Sequence, residues 1–318
     1  MPRRWGEEHH PTEGVGFVKL SSPPLVRGRG RCFLVILGGF LLGSAGSPGA
    51  AAGQAPPSLD ESVWGENEAT FLLANSLVSG LGAGIARAVG GGSFKEGFLR
   101  GALGGAVGYT ARRIAAGEVD GSGLVGRQLG AVGASMVRNA GAGEGMFSRL
   151  VFPIGPLNLY VDRSGDQARW SAKIDGPALV TAGILVFHAD AELDWWSTIS
   201  SGAFVFRSRR GWFLGNEEGV VGQTLPGTVV LRYDESSDVA RTLRHETVHI
   251  LQQDFAFHAA GSSLEGWMLG HHHLTRRIHE TVDFNLVIPL SLTLAWRGFG
   301  IDYVNRPHEA EALFLAGG

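Results

Sequence analysis

Apolar and polar positions follow four different patterns along the chain, and each pattern predicts a different kind of structure. The first is a short apolar run at 32–42 (CFLVILGGFLL), preceded by three arginines and followed by small residues and prolines. A basic segment, an apolar stretch of about 7–15 residues and an Ala-x-Ala-like site are typical of a secretory signal peptide. We therefore predict a signal peptide and leader over 1–55, with an uncleaved anchor or an apolar core helix as the alternatives. Export would place the protein in the periplasm, the cell envelope or the extracellular space of a bacterium.

The second pattern, over 56–148, combines helical periodicity with glycine. Residues 69–86 carry no charged side chain, and their number is close to the lower limit for a membrane span of about 20 apolar residues. Farther along, Gly97, Gly101 and Gly105 recur every four residues and so lie on one face of a helix. Small residues at that spacing let a second helix approach closely. We predict glycine-zipper-like helices here, either associated with a membrane or packed as a soluble layer, and self-association through them stays open.

The third pattern is an alternation of short apolar runs and turn residues between 150 and 233. The runs are LVFPIGPLNLYV, ARWSAKI, ALVTAGILVF, GAFVFRS and GTVVLRY. β-Branched and aromatic residues bounded by Gly, Pro, Asp and Ser are typical of strands joined by turns. We predict an antiparallel sheet of roughly five strands. Together with the helices around it, this sheet places the protein in the α+β class.

The fourth pattern is an amphipathic helix over 237–257 (SDVARTLRHETVHILQQDFAF) that contains a His-Glu-x-x-His motif. The spacing of His245 and His249 puts both imidazoles on one helical face, within reach of a single metal ion. Glu246 lies beside the first histidine, where it can take a proton from a metal-bound water. The motif therefore predicts a metal site with a general base next to it.

The motif resembles that of the zincin metallopeptidases, and HETVHILQQ is locally similar to the helix of metallopeptidase domains associated with contractile injection systems. The resemblance implies zinc (Zn2+) held by His245, His249 and a third ligand later in the chain. A metzincin continuation, His-x-x-Gly-x-x-His, is absent. Gluzincins instead use a Glu from a later helix, often three residues before Ala, and Glu309 precedes Ala312 in that way. Leu313 stands where those enzymes usually carry Asp or Asn.

Two glutamates in the last helix compete for the place of the third ligand. Glu309 and Glu311 are two residues apart, so they face nearly opposite sides of a helix and only one can bind the ion. Glu309 is preferred because its offset to Ala312 matches the gluzincin pattern, and Glu311 is the substitute. Three other carboxylates are further alternatives: Glu265, Glu280 and Asp283.

Composition narrows the classes of function. A single Cys in 318 residues excludes an internal disulfide framework and a Cys-rich zinc site, so a metal site must use His, Asp or Glu. A net charge of −3 offers no dense basic face, so we expect no nucleic-acid partner. Glycine accounts for 49 of the 318 residues, about twice its usual share of ~7%, and the glycines are concentrated in the predicted helical part.

These patterns predict an exported zinc-dependent metallopeptidase that hydrolyses peptide bonds in a peptide or protein substrate, using a zinc-activated water. Residues 149–318 would form its strand-rich, metallopeptidase-like domain, with a zincin-like helical part at the carboxyl end. The alternative is a non-enzymatic envelope or membrane-associated protein with glycine-zipper helices and a structural or vestigial metal site. A structural site is closed by a fourth protein ligand and has no use for Glu246, so this residue separates the two hypotheses.

Overall fold

The computed structural model describes residues 67–208, 221–232, 239–261, 269, 272–284 and 306–317. All of them belong to a single unit of the chain. The predicted signal peptide and leader over 1–55, and the alternative ligand Glu265, lie outside the described residues.

Three helices open the described part of the chain: α1 (Glu68–Val89), α2 (Phe94–Ala115) and α3 (Ser122–Ala142). The first two begin at residues that cap them. The Asn67 side chain accepts a hydrogen bond from the backbone of Ala69, and the Ser93 side chain accepts one from the backbone of Glu96. Such caps satisfy backbone N–H groups that have no partner inside the helix. The Gly-rich part of the chain is therefore helical.

Glycines lie where the backbones of these helices touch. A Cβ added to Gly101 of α2 would lie 2.5 Å from the Ala83 Cβ and 2.7 Å from the carbonyl oxygen of Ser79, both in α1. Three residues farther along α2, a Cβ on Gly104 would lie 2.8 Å from the carbonyl oxygen of Gly133 in α3. Helix α2 therefore packs between α1 and α3, and its glycines give room for both contacts.

Among the described helices, α1 is the one that is long and apolar enough to cross a membrane. Within its most apolar stretch, 33% of the residues are buried inside the protein. The core helix of a water-soluble protein passes the same test of length and composition. Membrane association through the Gly-rich helices therefore stays a prediction.

Within the described residues, two four-stranded sheets replace the predicted single sheet of roughly five strands. Their strand orders are β1-β2-β3-β8 and β4-β5-β7-β6. The strands are β1 (Arg149–Ile154), β2 (Leu157–Asp162), β3 (Arg169–Asp175), β4 (Glu192–Leu193), β5 (Phe204–Ser208), β6 (Gly222–Leu225), β7 (Thr228–Arg232) and β8 (Val282–Asp283). Neither sheet is purely antiparallel, because β3 pairs in parallel with β8 and β5 in parallel with β7. The α+β class is confirmed, while the five-stranded antiparallel sheet is wrong. Local alternation identifies strands, whereas pairing depends on segments far apart in the chain.

One predicted strand is a helix. The run ALVTAGILVF belongs to α4 (Gly176–His188), where the Asp175 carboxylate accepts a hydrogen bond of 3.0 Å from the backbone N–H of Ala178. Pro177 lies in the first turn, a position that suits proline because the N–H it lacks would have no helical partner. A continuous apolar run fits a buried strand and a helix equally well, so the cap and the proline were the deciding signals. A shorter helix, α5 (Trp195–Ser201), follows β4.

The HExxH motif lies on α6 (Val239–Ala256), which continues into a π-helical turn over Phe257–Gly261. In the described part of the chain that follows, α7 (His273–Thr281) and α8 (Pro307–Leu315) are short helices. Helix α6 packs against α2 and α3 on one side and against β6 and β7 on another, and α8 contacts it as well. The motif therefore lies between the Gly-rich helices and the second sheet.

The close helix contacts predict opposite effects for the same substitution at two glycines. Gly101→Ala is expected to lower the free energy of unfolding by about 1–3 kcal/mol, because the added methyl group has no room. Gly183→Ala in α4 is the matched control, since a Cβ there meets nothing within 4 Å. The control is expected to raise the free energy of unfolding by up to about 1 kcal/mol, because alanine favours the helix. Urea denaturation followed by circular dichroism measures both. A Gly101→Ala protein as stable as the wild type would contradict the packing described.

Candidate metal centre

Two histidines and a glutamate from distant parts of the chain meet at one point. The Nε2 atoms of His245 and His249 are 3.1 Å apart. The Oε2 atom of Glu309 lies 3.0 Å from Nε2 of His249 and 3.5 Å from Nε2 of His245. Metal bonds of about 2.0–2.1 Å place neighbouring tetrahedral ligands about 3.3 Å apart, so these separations suit a common ion. The three residues form a group that could hold a metal ion.

The start of α8 brings Glu309 to the histidines. Pro307 lies in its first turn, and Glu309 is 1% exposed. The small side chain of Ala312 packs with Val248 of α6, which lets the two helices approach closely. Ala310 packs with Phe71 of α1 in a separate cluster. Because α8 contacts both neighbours, the position of the Glu309 carboxylate is determined by packing on both sides.

The electrostatics of the group are those of a buried ion pair. Burial is the largest single effect on the His249 imidazole and lowers its pKa. The charge and hydrogen bond of Glu309, the charge of Glu246 and the hydrogen bond with Gln252 together outweigh burial, and the pKa rises to about 9. Burial raises the pKa of Glu309, but His249 and hydrogen bonds from three histidines outweigh burial and hold the pKa well below its usual range. The third of these histidines, His308, has its Nε2 atom 3.4 Å from Glu309 Oε1. Glu309 is therefore an anion at neutral pH, as a metal ligand must be.

Glu246, the predicted general base, lies between the metal group and the second sheet. Its side chain is 7% exposed, and its Oε2 atom accepts a hydrogen bond of 2.7 Å from the hydroxyl of Thr224 in β6. Its negative charge is one of the causes that raise the pKa of His249. A Cβ on Gly222 would lie 3.1 Å from the Glu246 Cγ, so β6 runs directly beside this carboxylate.

The substitute ligand Glu311 does not join the three ligand atoms. Its carboxylate faces away from Glu309 and accepts hydrogen bonds from Gln252, Arg112 and Asn75. This separation follows from the two-residue offset, which points the two glutamates to different sides of α8.

Two of the alternative carboxylates lie elsewhere. Glu280 is exposed on α7. Asp283 is fully buried, where it accepts hydrogen bonds from Asn158 at 2.9 Å and from the Tyr160 hydroxyl at 2.6 Å, and forms an ion pair of 3.3 Å with Lys173. Asp283 thus belongs to a separate polar cluster around the first sheet.

Sequence reasoning missed two residues that contact the ligands. Gln252 Oε1 lies 2.8 Å from Nδ1 of His249, and the spacing of three residues on one helix is a signal that could have found it. His308 lies directly before Glu309 and contacts it. A third residue, Arg112, contacts Glu311 and not a ligand. It belongs to the Gly-rich helices, and no local signal in the sequence connects it with the motif.

No family model, no curated protein and no solved structure matches this chain. The resemblance to zincins therefore rests on the motif and the distal glutamate. Two imidazole nitrogens and one carboxylate oxygen suit zinc, and they also suit other transition metals that prefer nitrogen and oxygen ligands.

Proposed function

We propose that this protein is a zinc-dependent peptidase whose metal is held by His245, His249 and Glu309. The observation that carries the proposal is the convergence of these three ligand atoms beside a second buried carboxylate, Glu246. Among the described residues, the group contains three ligands and no fourth. Catalytic zinc sites have three protein ligands and keep the fourth position for water or substrate, whereas structural sites use four protein ligands.

The second carboxylate favours zinc over iron. Two histidines and one carboxylate also form the facial triad of iron(II) oxygenases. Those sites leave positions open for oxygen and have no need of a proton acceptor held beside the ligands. Glu246 is adjacent to a ligand and fixed by Thr224, which is the arrangement that hydrolysis needs.

Each side chain then has a defined task. Zinc held by these ligands would lower the pKa of a coordinated water to about 7 and would polarise a carbonyl group. Thr224 holds one oxygen of Glu246, which leaves the other to accept a proton from the attacking water and to return it to the leaving amine. His308 contacts the oxygen of Glu309 that does not face the two histidine ligands, and so limits rotation of that carboxylate.

The strand beside Glu246 supports a peptide substrate. Strand β6 is last in the order β4-β5-β7-β6 of the described strands. A strand at the end of a sheet can pair with an extended peptide through backbone hydrogen bonds. A peptide paired in this way would pass the Glu246 carboxylate. The apolar run at 32–42, with its basic residues before it, supports activity outside the cytoplasm.

Metal analysis of the purified protein, combined with peptide cleavage, tests the proposal. We expect about one zinc ion per chain, and cleavage of unstructured peptides that stops when a chelator removes the zinc and resumes when zinc is returned. Mass spectrometry of a peptide mixture measures the cleavage without assuming a sequence preference. Absence of a bound metal would overturn the proposal. Bound zinc without cleavage of any peptide would favour the structural site of the non-enzymatic alternative.

A further inference from the structure

The Gly-rich helices reach the metal centre through four polar side chains, which we call the support network. Its members come from four helices: Asn75 of α1, Arg112 of α2, Glu311 of α8 and Gln252 of α6. Arg112, Gln252 and Glu311 are at most 5% exposed. The network ends on the metal side at Nδ1 of His249.

The orientation of the Gln252 amide is decided by its partners. Its Nε2 atom donates to Oε2 of Glu311 at 2.9 Å and to the backbone carbonyl of His308 at 3.1 Å. A carboxylate and a carbonyl can only accept hydrogen bonds, so the nitrogen end of the amide must face them. The oxygen end, Oε1, then lies 2.8 Å from Nδ1 of His249. A rotated amide would bring oxygen against oxygen at both contacts.

This orientation selects one tautomer of His249. The Oε1 atom of Gln252 can only accept, so Nδ1 of His249 carries the proton. In the neutral form of His249, which is the form that binds a metal, Nε2 then has the free electron pair, and Nε2 is the atom that faces His245 and Glu309. A histidine binds a metal through the nitrogen that carries no proton, and its second nitrogen fixes the ring when it donates to a partner.

Arg112 and Asn75 hold Glu311 in place. The Nε and Nη2 atoms of Arg112 each lie 3.1 Å from Glu311 Oε1, and Nδ2 of Asn75 donates to the same oxygen at 3.0 Å. Arg112 also donates to Oδ1 of Asn75 at 2.5 Å, which fixes the amide of Asn75 as well. A buried carboxylate is stable only with such compensation. Glu311 Oε1 is therefore fully used by the Gly-rich helices, and Oε2 remains for Gln252.

The geometry points to Glu311 as a positioning residue for the metal centre. With Arg112 and Asn75, it holds Gln252 in the one orientation that presents Nε2 of His249 to the ion. The inference rests on the proposed zinc site and adds a role for the Gly-rich helices, since side chains of α1 and α2 support the ligand His249 through Glu311 and Gln252. Zinc affinity therefore depends on side chains far from the motif in the sequence. Arg112 lies more than 130 residues before the motif, and Asn75 lies farther away still.

The Glu311→Gln variant tests this role, because it keeps the shape of the side chain and removes its charge. We expect the zinc dissociation constant to rise about 10–100-fold, as for the loss of other groups that orient a ligand. Competition with a chromophoric chelator measures this constant. In the zinc-loaded wild type, the His249 Nδ1 proton should give a downfield proton resonance, which we expect to weaken or disappear in the variant. A purely structural role would not move that resonance.

Asp254→Asn is the matched control. Asp254 lies on the same helix as His249 and forms a buried ion pair of 2.7 Å with Arg127, so its loss also leaves a buried arginine without its charged partner. We expect this control to lose stability in urea and to keep the zinc dissociation constant of the wild type within about twofold. If Glu311→Gln does not fold, Asn75→Ala removes one hydrogen bond to Glu311 and is expected to weaken zinc binding by a smaller factor.

The outcomes separate this inference from the proposed function. If the wild type binds zinc and Glu311→Gln binds it equally tightly, the inference is overturned and the proposed function is not. Where Glu311→Gln does not fold, equally tight binding by Asn75→Ala has the same meaning. Equal weakening by Asp254→Asn would overturn it too, because the effect would then be a general loss of stability. Absence of zinc from the wild type would overturn the proposed function and this inference with it.

Discussion

The Glu246→Gln variant is expected to cleave peptides about 10²–10⁴-fold more slowly than the wild type while it keeps its zinc. Glutamine has the shape of glutamate and can still contact the Thr224 hydroxyl, so the local packing of α6 against β6 should persist. It cannot accept a proton at neutral pH, and the attacking water then loses its base. The loss should therefore be found in kcat, with zinc content unchanged.

Zinc analysis and steady-state kinetics on the same preparation check this result. Glu280→Gln is the matched control, since Glu280 is an exposed carboxylate on α7 that the sequence offers as an alternative ligand. We expect the control to leave both zinc content and kcat/KM unchanged. A Glu246→Gln protein with wild-type activity would contradict the assigned base, and a variant without zinc would show that Glu246 holds the site together.

The His249→Ala variant is expected to lose both bound metal and all peptide cleavage above background. His249 is the centre of the site, because its Nε2 atom contacts both other ligands and its Nδ1 atom contacts Gln252. Its removal leaves His245 and Glu309, and two ligands do not hold zinc at the affinity of three. We expect the zinc content to fall from about one ion per chain to near zero.

The His249→Ala variant is also expected to lose stability, so a control must separate the loss of a metal ligand from the loss of a buried side chain. His258→Ala replaces a second buried histidine, nine residues later in the π-helical turn, that packs edge-on against Tyr160 at a ring distance of 6.4 Å. Burial lowers the pKa of His258 to about 4, so this side chain is neutral at pH 7 and has no part in the metal group. We expect His258→Ala to lower the urea midpoint and to retain zinc. If His249→Ala bound zinc as the wild type does, the assignment of His249 as a metal ligand would be wrong.

The Gly-rich helices, the HExxH helix and the ligand pair were predictable because their signals are local. His245, Glu246 and His249 lie within one and a half turns of an amphipathic helix, so periodicity alone puts the two imidazoles on one face. The repeat of Gly97, Gly101 and Gly105 likewise predicts a close helix contact, and the structure places α1 against that face. Glu309 could be predicted only as one of several carboxylates, because 60 residues separate it from His249.

The errors have two causes, one local and one that joins distant segments of the chain. The run in α4 is apolar on all sides, and its cap at Asp175 decides for a helix. The first sheet is completed by the pairing of β3 with β8, which lie more than 100 residues apart. Alternation along a strand shows that a strand exists and which face is apolar, but it contains no information about the partner.

The amino-acid sequence by itself determined which side chains could bind a metal, since the spacing of His245 and His249 is a property of the helix they lie on. Only the tertiary structure decided which carboxylate completes the group and what the other one does. Glu309 and Glu311 are equivalent in the sequence, apart from their offset to Ala312. The packing of α8 between α1 and α6 turns the first toward the histidines and the second toward Arg112. The physical reason is that a ligand's direction depends on the helices around it, and those helices come from the whole length of the chain.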